Sequence, residues 1–162
     1  MGEKEQIFKL IGKTIWVSQL IESDLKVLLI CASHDEIESN NDLEKKEDDY
    51  SRTMLGVLIG KLRDKEEFFR QFGLEESDFD VLEKCRISRN FVTHNVIARE
   101  KGEEVQLSSA RKELIGQLEE NLCDVEKGNE LIHGIFSKIV CALGVDYEQL
   151  ERDSVGDFER DL

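Results

Sequence analysis

The chain has no proline in 162 residues, and this absence constrains its fold more than any other feature. Average usage would place about eight prolines in a chain of this length. Because proline is the strongest interrupter of helices, its absence removes their commonest stop signal. Charged residues make up 36% of the chain and hydrophobic residues 40%, which is typical of amphipathic helices rather than of disorder. We therefore expect an all-α protein.

The spacing of apolar residues predicts four long helices. They run approximately over Glu5–Ser33, Asp49–Phe72, Ser77–Lys101 and Ser108–Leu143. Residues Ser33–Asp49 are predicted to form a loop, because they contain Ser-Asn-Asn-Asp and a dense run of charges. Gly73 and Gly102 are predicted to end the second and third helices. Four long helices with short connections indicate an antiparallel four-helix bundle over residues 1–145, followed by an acidic C-terminal tail over residues 146–162.

The first predicted helix has apolar residues on two opposite faces. The face with three-four spacing is expected to lie in the core and consists of Ile7, Leu10, Ile11, Thr14, Ser18, Ile21, Leu25, Leu28 and Leu29. Trp16, Leu20 and Val27 lie about 180° away at 100° per residue. Such a helix is covered on both faces inside a thick core or across a subunit interface; the alternative is that these three side chains are partly exposed.

The fourth predicted helix carries a seam in which apolar residues alternate four and three apart. Its members are Leu118, Leu122, Val125, Asn129, Ile132, Phe136, Ile139 and Leu143. A helix of this length would extend about 50 Å at 1.5 Å per residue. We expect a bend near Gly128 or Gly134.

The sequence also limits the location of the protein and its use of metals. It has neither an apolar run of about 20 residues nor an apolar N-terminal signal region, so we expect no membrane span and no export, and therefore a cytoplasmic protein. The four cysteines form no Cys-x-x-Cys pair and are predicted to be buried, unpaired thiols. Cys31 and His34 have the spacing of metal ligands, but no second cluster completes a site. We expect no metal and no other cofactor.

Charge is distributed unevenly along the chain. The net charge of −14 opposes general binding to nucleic acid, which requires a local concentration of Lys and Arg. The segment Lys84–Arg99, here called the motif segment, has four basic residues and no acidic one. The segment Tyr50–Arg63, here called the second basic segment, has three basic residues and no acidic one. A phosphate-bearing ligand is expected to bind at the motif segment.

The motif segment contains Arg89, Asn90 and His94 in an Arg-Asn-x-x-x-His arrangement on the third predicted helix. This arrangement resembles the HEPN superfamily, which is defined by an Arg followed after four to six residues by a His. In that family Asn, Asp or His often follows the Arg, as Asn90 does here. One departure is Val96, which stands where the subfamily paired with nucleotidyltransferase antitoxins commonly has a Tyr. The departure counts against that subfamily and leaves the superfamily resemblance intact.

Helix geometry separates the two motif residues. Arg89 and His94 are five residues apart, which is about 140° around a regular α-helix. Arg86, Asn90 and His94 are four apart in succession, so they form a polar strip with Arg89 at its edge. A working site would need either a helix distortion or the same strip from a second subunit.

The resemblance implies a metal-independent endoribonuclease that acts as a homodimer in a toxin–antitoxin or antiviral defence system, with an antitoxin or another regulatory protein as partner. His94 has the side-chain chemistry for proton transfer at neutral pH. Arg89 can hold phosphate oxygens and stabilise developing negative charge. Asn90 would orient His94 or the phosphate, and Arg86 would add a further phosphate contact. The expected product is a 2′,3′-cyclic phosphate.

Two other function classes stay open. A HEPN-like bundle can serve as a protein-interaction or nucleotide-binding module without catalysis, which the acidic net charge and Val96 favour. A phosphotransfer bundle using His94 or His133 is the third class. His133 lies next to Gly134 in an apolar helix, and the sequence around it lacks the acidic pocket that such chemistry needs.

Overall fold

A computed structural model of the chain describes residues 2–96 and 108–144, and these residues are all-helical with no β-strand among them. The α-helices are α1 (Glu3–Cys31), α2 (Asn40–Ser51), α3 (Leu55–Asp64), α4 (Glu66–Arg70), α5 (Asp78–Asn90) and α6 (Ser108–Ala142). A 3-10 turn spans His34–Glu36, and a π-helical turn spans Phe91–Val96. The predicted all-α class is confirmed. The predicted helix end at Lys101, the cap at Gly102 and the tail at 146–162 lie outside the described residues.

The long helices pack around a shared apolar core. Helix α1 runs along α6, α5 also packs on α6, and α3 contacts both α1 and α5. The largest fully buried side chains come from all of these helices and from α4: Phe69, Ile21, Leu25, Leu28, Leu29, Leu55, Leu58, Leu62, Leu82, Leu118, Ile132 and Ile135. A smaller cluster, in which Ile7, Ile11, Val92 and Leu118 are buried, packs the start of α1 against the π-helical turn and α6. The motif segment therefore packs against α1 and α6 in its described part, up to Val96.

Helix α1 has the two faces that its sequence predicts. The three-four stripe is buried except for Leu10, which is partly exposed. On the opposite side Trp16 is 63% exposed, and Leu20 and Val27 are 39% and 43% exposed. Phe8, at 56%, adds a further exposed apolar side chain to α1. Among the described residues, the core covers only one face of α1.

Helix α6 begins at Ser108 as predicted and buries most of its seam. Leu143 departs from the prediction, because it lies beyond the helix end at Ala142 and is 66% exposed. At Gly128 the helix approaches α5 closely: an added Cβ would lie 3.0 Å from the Cβ of Cys85 and 3.1 Å from its Sγ. Glycine at this position therefore sets the spacing of the two helices. The bend near Gly128 or Gly134 stays a prediction.

The loop predicted over Ser33–Asp49 is wrong, because most of it is the 3-10 turn and α2. Ser39 is the N-cap of α2: its Oγ accepts the Asp42 N–H at 3.3 Å and donates to Asp42 Oδ2 at 2.7 Å. The polar run that resembled a turn is thus a helix start, since the same residue types serve both purposes. Tyr50 then anchors the end of α2 in the core.

The single helix predicted over Asp49–Phe72 is also wrong, because the chain divides there into the end of α2, α3 and α4. Two hydroxyl groups bond to carbonyls in the last turn of α2: Ser51 to Asp48 and Thr53 to Asp49, both at 2.7 Å. Such bonds compete with the helical pattern, and Met54 is extended. The spacing of apolar residues does not predict this break in the helix.

The predicted cap at Gly73 is confirmed. Its φ of +93° lies in the left-handed region that favours glycine. The Leu74 N–H bonds to the Phe69 carbonyl at 3.2 Å and the Gly73 N–H to the Arg70 carbonyl at 3.0 Å, which is a Schellman motif. Helix α5 follows, and Asp78 and Asp80 stand in its first turn.

The cysteines only partly follow their prediction. None forms a disulfide; Cys85 is buried and Cys31 is partly buried. Cys123 and Cys141 are exposed, so their predicted burial is wrong, because both lie off the buried seam of α6. None of the helices in the described ranges combines the length and apolar character needed to cross a lipid bilayer.

Candidate functional site

The helix that carries Arg89 and His94 changes type inside the motif. It is α-helical up to Asn90 and π-helical over Phe91–Val96. A π-helical turn pairs backbone groups five residues apart rather than four, and such turns occur frequently at functional sites. In a regular π-helix, residues five apart lie closer to one side than in an α-helix. Here Arg89 precedes the π-helical turn and His94 lies within it. This is the type of distortion that the motif spacing requires.

Thr93 hydrogen-bonds to the backbone at the change of helix type. Its Oγ1 lies 3.0 Å from the Arg89 carbonyl oxygen and 3.3 Å from that of Asn90, and donates to these carbonyls. Where an α-helix widens, carbonyls lose their regular partners and need another donor. A Thr four residues after Arg89 supplies that donor from within the motif.

A shallow surface cavity of about 350 Å³ opens on the outer side of α5 and the π-helical turn. Its lining among the described residues is Arg86, Ile87, Asn90, Phe91 and His94. The polar strip of Arg86, Asn90 and His94 therefore faces one cavity, with Ile87 and Phe91 as apolar walls. The His94 side chain is exposed, which leaves its ring accessible to a ligand.

Arg86 is held in the cavity wall by its own helix and by α3. Its Nε donates to Glu83 Oε2 at 2.8 Å, and its Nη2 donates to Glu83 Oε1. These bonds keep the pKa of Glu83 below its usual value. The stem of Arg86 lies over Gly56 of α3, where an added Cβ would be 3.0 Å from the Arg86 Cδ. Arg86 is thus a fixed, partly neutralised cation.

Arg89 lies at the inner edge of the strip and does not line the cavity. Its Nη1 donates to Asn90 Oδ1 at 3.3 Å, and its Nη2 lies 3.7 Å from Glu22 Oε1 on α1. The side chains of Arg89 and Glu22 are only 25% and 18% exposed. Asn90 therefore links the cavity to Arg89.

Beneath the strip, α5 packs tightly on α1 and α6. Ser88 donates to Asp124 Oδ2 at 3.2 Å, and Val92 is fully buried. The pKa of Cys85 is raised to about 12. Burial is the main cause, and the nearby carboxylates of Asp124 and Glu22 add to it. The Cys85 thiol is therefore an inert part of the support beneath the cavity.

The other histidines have different surroundings. His34 contacts the Cys31 carbonyl through Nδ1 at 3.2 Å and Asp35 through Nε2 at 2.9 Å. His133 lies 3.8 Å from Asp24 Oδ2 and stacks on Phe136. Burial raises the pKa of Asp24, and His133 opposes that rise. Asp24 thus provides one carboxylate at His133, which the spacing of residues did not indicate.

Among the described residues, no group of three or more His, Cys, Asp or Glu side chains could hold a metal ion. Sequence reasoning missed Glu22 and Thr93, which contact Arg89 and the carbonyls of Arg89 and Asn90. Thr93 had a local signal, because it stands four residues after Arg89, the spacing at which a hydroxyl reaches a helical carbonyl. Glu22 had none, since it stands 67 positions before Arg89 in the sequence.

Comparison with protein-family models, with curated proteins and with the solved structures finds no match for this chain.

Proposed function

We propose that this chain is an HEPN-type, metal-independent endoribonuclease whose helices form an HEPN-like four-helix bundle. The observation that carries the proposal is the π-helical turn inside the Arg89–His94 motif, next to a cavity lined by Arg86, Asn90 and His94. A basic, histidine-containing cavity in a chain of net charge −14 is suited to one local phosphate rather than to a long tract of nucleic acid.

The proposed reaction uses the 2′-hydroxyl of the RNA as its nucleophile. A base removes the hydroxyl proton, the 2′-oxygen bonds to phosphorus, and the bond from phosphorus to the 5′-oxygen breaks. An acid protonates the leaving 5′-oxygen, so the products are a 2′,3′-cyclic phosphate and a 5′-hydroxyl end. His94 supplies proton transfer, and Arg89 stabilises the charge that grows on the phosphate. Asn90 orients Arg89, and Arg86 binds a neighbouring phosphate.

The proposed enzyme is a homodimer, in which each subunit contributes one His94 to a shared cleft. The exposed apolar face of α1, which includes Trp16, Leu20 and Val27, is the surface that a second copy would cover. Trp16 is the only tryptophan, so its emission reports on that face. Trp16→Glu is expected to give the mass of a monomer in light scattering, whereas the control Met54→Glu, at another exposed apolar side chain, leaves a dimer. A wild-type monomer would contradict the dimer.

The second candidate function is a non-catalytic HEPN-like module that binds a protein or a nucleotide. The observation in its favour is that Arg86 and Arg89 both have acidic partners within the chain. A toxin or defence role, with an antitoxin or regulatory protein as partner, belongs to the first candidate and follows from the resemblance alone.

Cleavage of a labelled structured RNA and of total tRNA in EDTA tests the proposal. Wild type is expected to cut both substrates, while Arg89→Ala and His94→Ala leave them intact. The helical content of each variant, measured by circular dichroism, controls for folding. If all three proteins are folded and none cuts RNA, the non-catalytic module becomes the better account.

A further inference from the structure

Glu22 is the acidic side chain that meets the motif from outside its own helix. It projects from α1 toward Arg89, with Glu22 Oε1 3.7 Å from Arg89 Nη2. Both side chains are mostly buried, so their attraction is less screened than that of a surface pair. The contact therefore bears directly on where the Arg89 guanidinium lies.

The pairing is incomplete. Glu22 Oε1 is buried and has no hydrogen-bond partner within residues 2–96 and 108–144. At 3.7 Å its contact with Arg89 is longer than the 2.7–2.9 Å of a charge-assisted hydrogen bond. A buried carboxylate oxygen without a hydrogen bond is costly, so the attraction to Arg89 is what keeps it there.

From this geometry we infer that Glu22 is a positioning residue and an internal competitor for phosphate at Arg89. Its carboxylate holds the Arg89 guanidinium at the inner edge of the cavity, with Nη1 turned to Asn90. The same carboxylate partly neutralises the positive charge that would otherwise attract a phosphate. A bound phosphate has to compete with Glu22 for the Arg89 guanidinium. The expected effect of Glu22 on kcat rests on the proposed function. Its expected effect on phosphate binding rests only on the contact with Arg89.

Two opposite effects follow for Glu22→Gln, which keeps the shape of the side chain and removes its charge. Binding of RNA tightens about three- to tenfold, because an unneutralised guanidinium attracts phosphate more strongly. The kcat of cleavage falls about tenfold, because Arg89 is no longer fixed relative to the reacting phosphate. If Glu22 had a purely structural role, its substitution would lower both the affinity for RNA and the kcat.

The experiment is a double-mutant cycle in binding. The probe is a short fluorescent 2′-O-methyl RNA, which lacks the attacking hydroxyl, and its dissociation constant is measured by anisotropy at one salt concentration. Glu22→Gln is expected to tighten binding in the wild-type background and to have no effect in the Arg89→Ala background. Glu126→Gln is the matched control, since it removes the same charge from an exposed pair with Lys13.

The outcomes are separable. Equal tightening by Glu22→Gln and Glu126→Gln, or tightening that persists in Arg89→Ala, would overturn the inference. If the wild type binds the probe and shows the expected cycle but does not cut RNA, the nuclease proposal fails and the role of Glu22 at a phosphate site stands. If Glu22→Gln does not fold, Glu22→Asp replaces it. That variant draws the carboxylate back from Arg89, and it is expected to tighten binding by less and to lower kcat; wild-type values of both would overturn the inference.

Discussion

The motif segment and the second basic segment look alike in sequence, yet their cations have different surroundings. In the second basic segment, the Nζ atom of Lys61 lies 4.8 Å from the centre of the Tyr50 ring. Arg63 lies 4.1 Å from the centre of the Phe79 ring and bonds to Glu76 at 2.9 Å. Through these contacts, Lys61 joins α3 to α2 and Arg63 joins α3 to α5.

In the described part of the motif segment, Arg86 and His94 border a cavity. Arg86 lines it, Arg89 stands behind Asn90, and His94 is exposed at the π-helical turn. The comparison teaches that local charge alone does not mark a binding site. What separates the segments is the presence of a histidine, a change of helix type and the lack of an aromatic partner for Arg86 and Arg89 among the described contacts.

The largest expected effect is the difference between one substitution in each segment. His94→Ala should lower RNA cleavage by about 10²–10⁴-fold, the usual contribution of a positioned acid or base, without loss of stability. Arg63→Ala should leave the cleavage rate unchanged and reduce the free energy of unfolding by about 0.5–1 kcal/mol, since it loses an exposed ion pair and a cation–π contact. Initial rates and urea unfolding of both variants check this. A similar loss of activity in Arg63→Ala would end the distinction between the segments.

A smaller effect is expected at Thr93. Thr93→Val removes the hydroxyl that bonds to the Arg89 and Asn90 carbonyls and keeps the side-chain shape. We expect about a tenfold loss of kcat as His94 moves, and a loss of stability of about 1 kcal/mol. Thr53→Val, which removes a similar hydroxyl bond within the second basic segment, is the matched control and should leave kcat unchanged. Equal rates for the two variants would show that the π-helical turn does not position His94.

The support beneath the motif segment can be tested through stability. Gly128→Ala places a Cβ against Cys85 in the core and should cost about 1–3 kcal/mol. Gly116→Ala, in the same helix with nothing within 4 Å of the new Cβ, should instead stabilise by about 0.5–1 kcal/mol. Thermal unfolding of both variants checks the signs. Stabilisation by Gly128→Ala would mean that α5 and α6 lie farther apart than described.

The smallest effect concerns the connection beside the second basic segment. Glu36 accepts bonds from Lys46 and Lys65, which lower its pKa from 4.5 to about 2. A lowered carboxyl pKa means that its contribution to stability is complete above about pH 4.5 and is lost as the pH falls toward 2. Wild type and Glu36→Gln should therefore differ slightly in urea unfolding at pH 7, and the difference should disappear near pH 2. A difference that is constant with pH would contradict the ionic contribution.

The sequence predicted those parts of the fold that depend on repeated apolar spacing. The buried stripe of α1 and most of the α6 seam were predicted because one face of a long helix must meet the core. The break at Arg52–Met54 was missed, because hydroxyl bonds at Ser51 and Thr53 leave no mark in that spacing. The start of α2 was missed because a Ser can cap a helix or form a turn.

The candidate site was predictable only along its own helix. Residues four apart gave the strip of Arg86, Asn90 and His94, and the five-residue separation indicated that a distortion was needed. The π-helical turn itself and the Glu22 contact depend on tertiary packing of α1 against α5. A single sequence contains no spacing that relates two helices so far apart in the chain.

The chemistry of the RNA ends tests the central claim most directly. A short RNA with one cleavage site is incubated with wild-type protein in EDTA, beside the same RNA carrying a single 2′-O-methyl group at that site. The account predicts a 2′,3′-cyclic phosphate and a 5′-hydroxyl from the first RNA, and no cut at the modified site of the second. Cleavage of the 2′-O-methyl site, or a product with a 5′-phosphate, would contradict attack by the 2′-hydroxyl and with it the role given to His94.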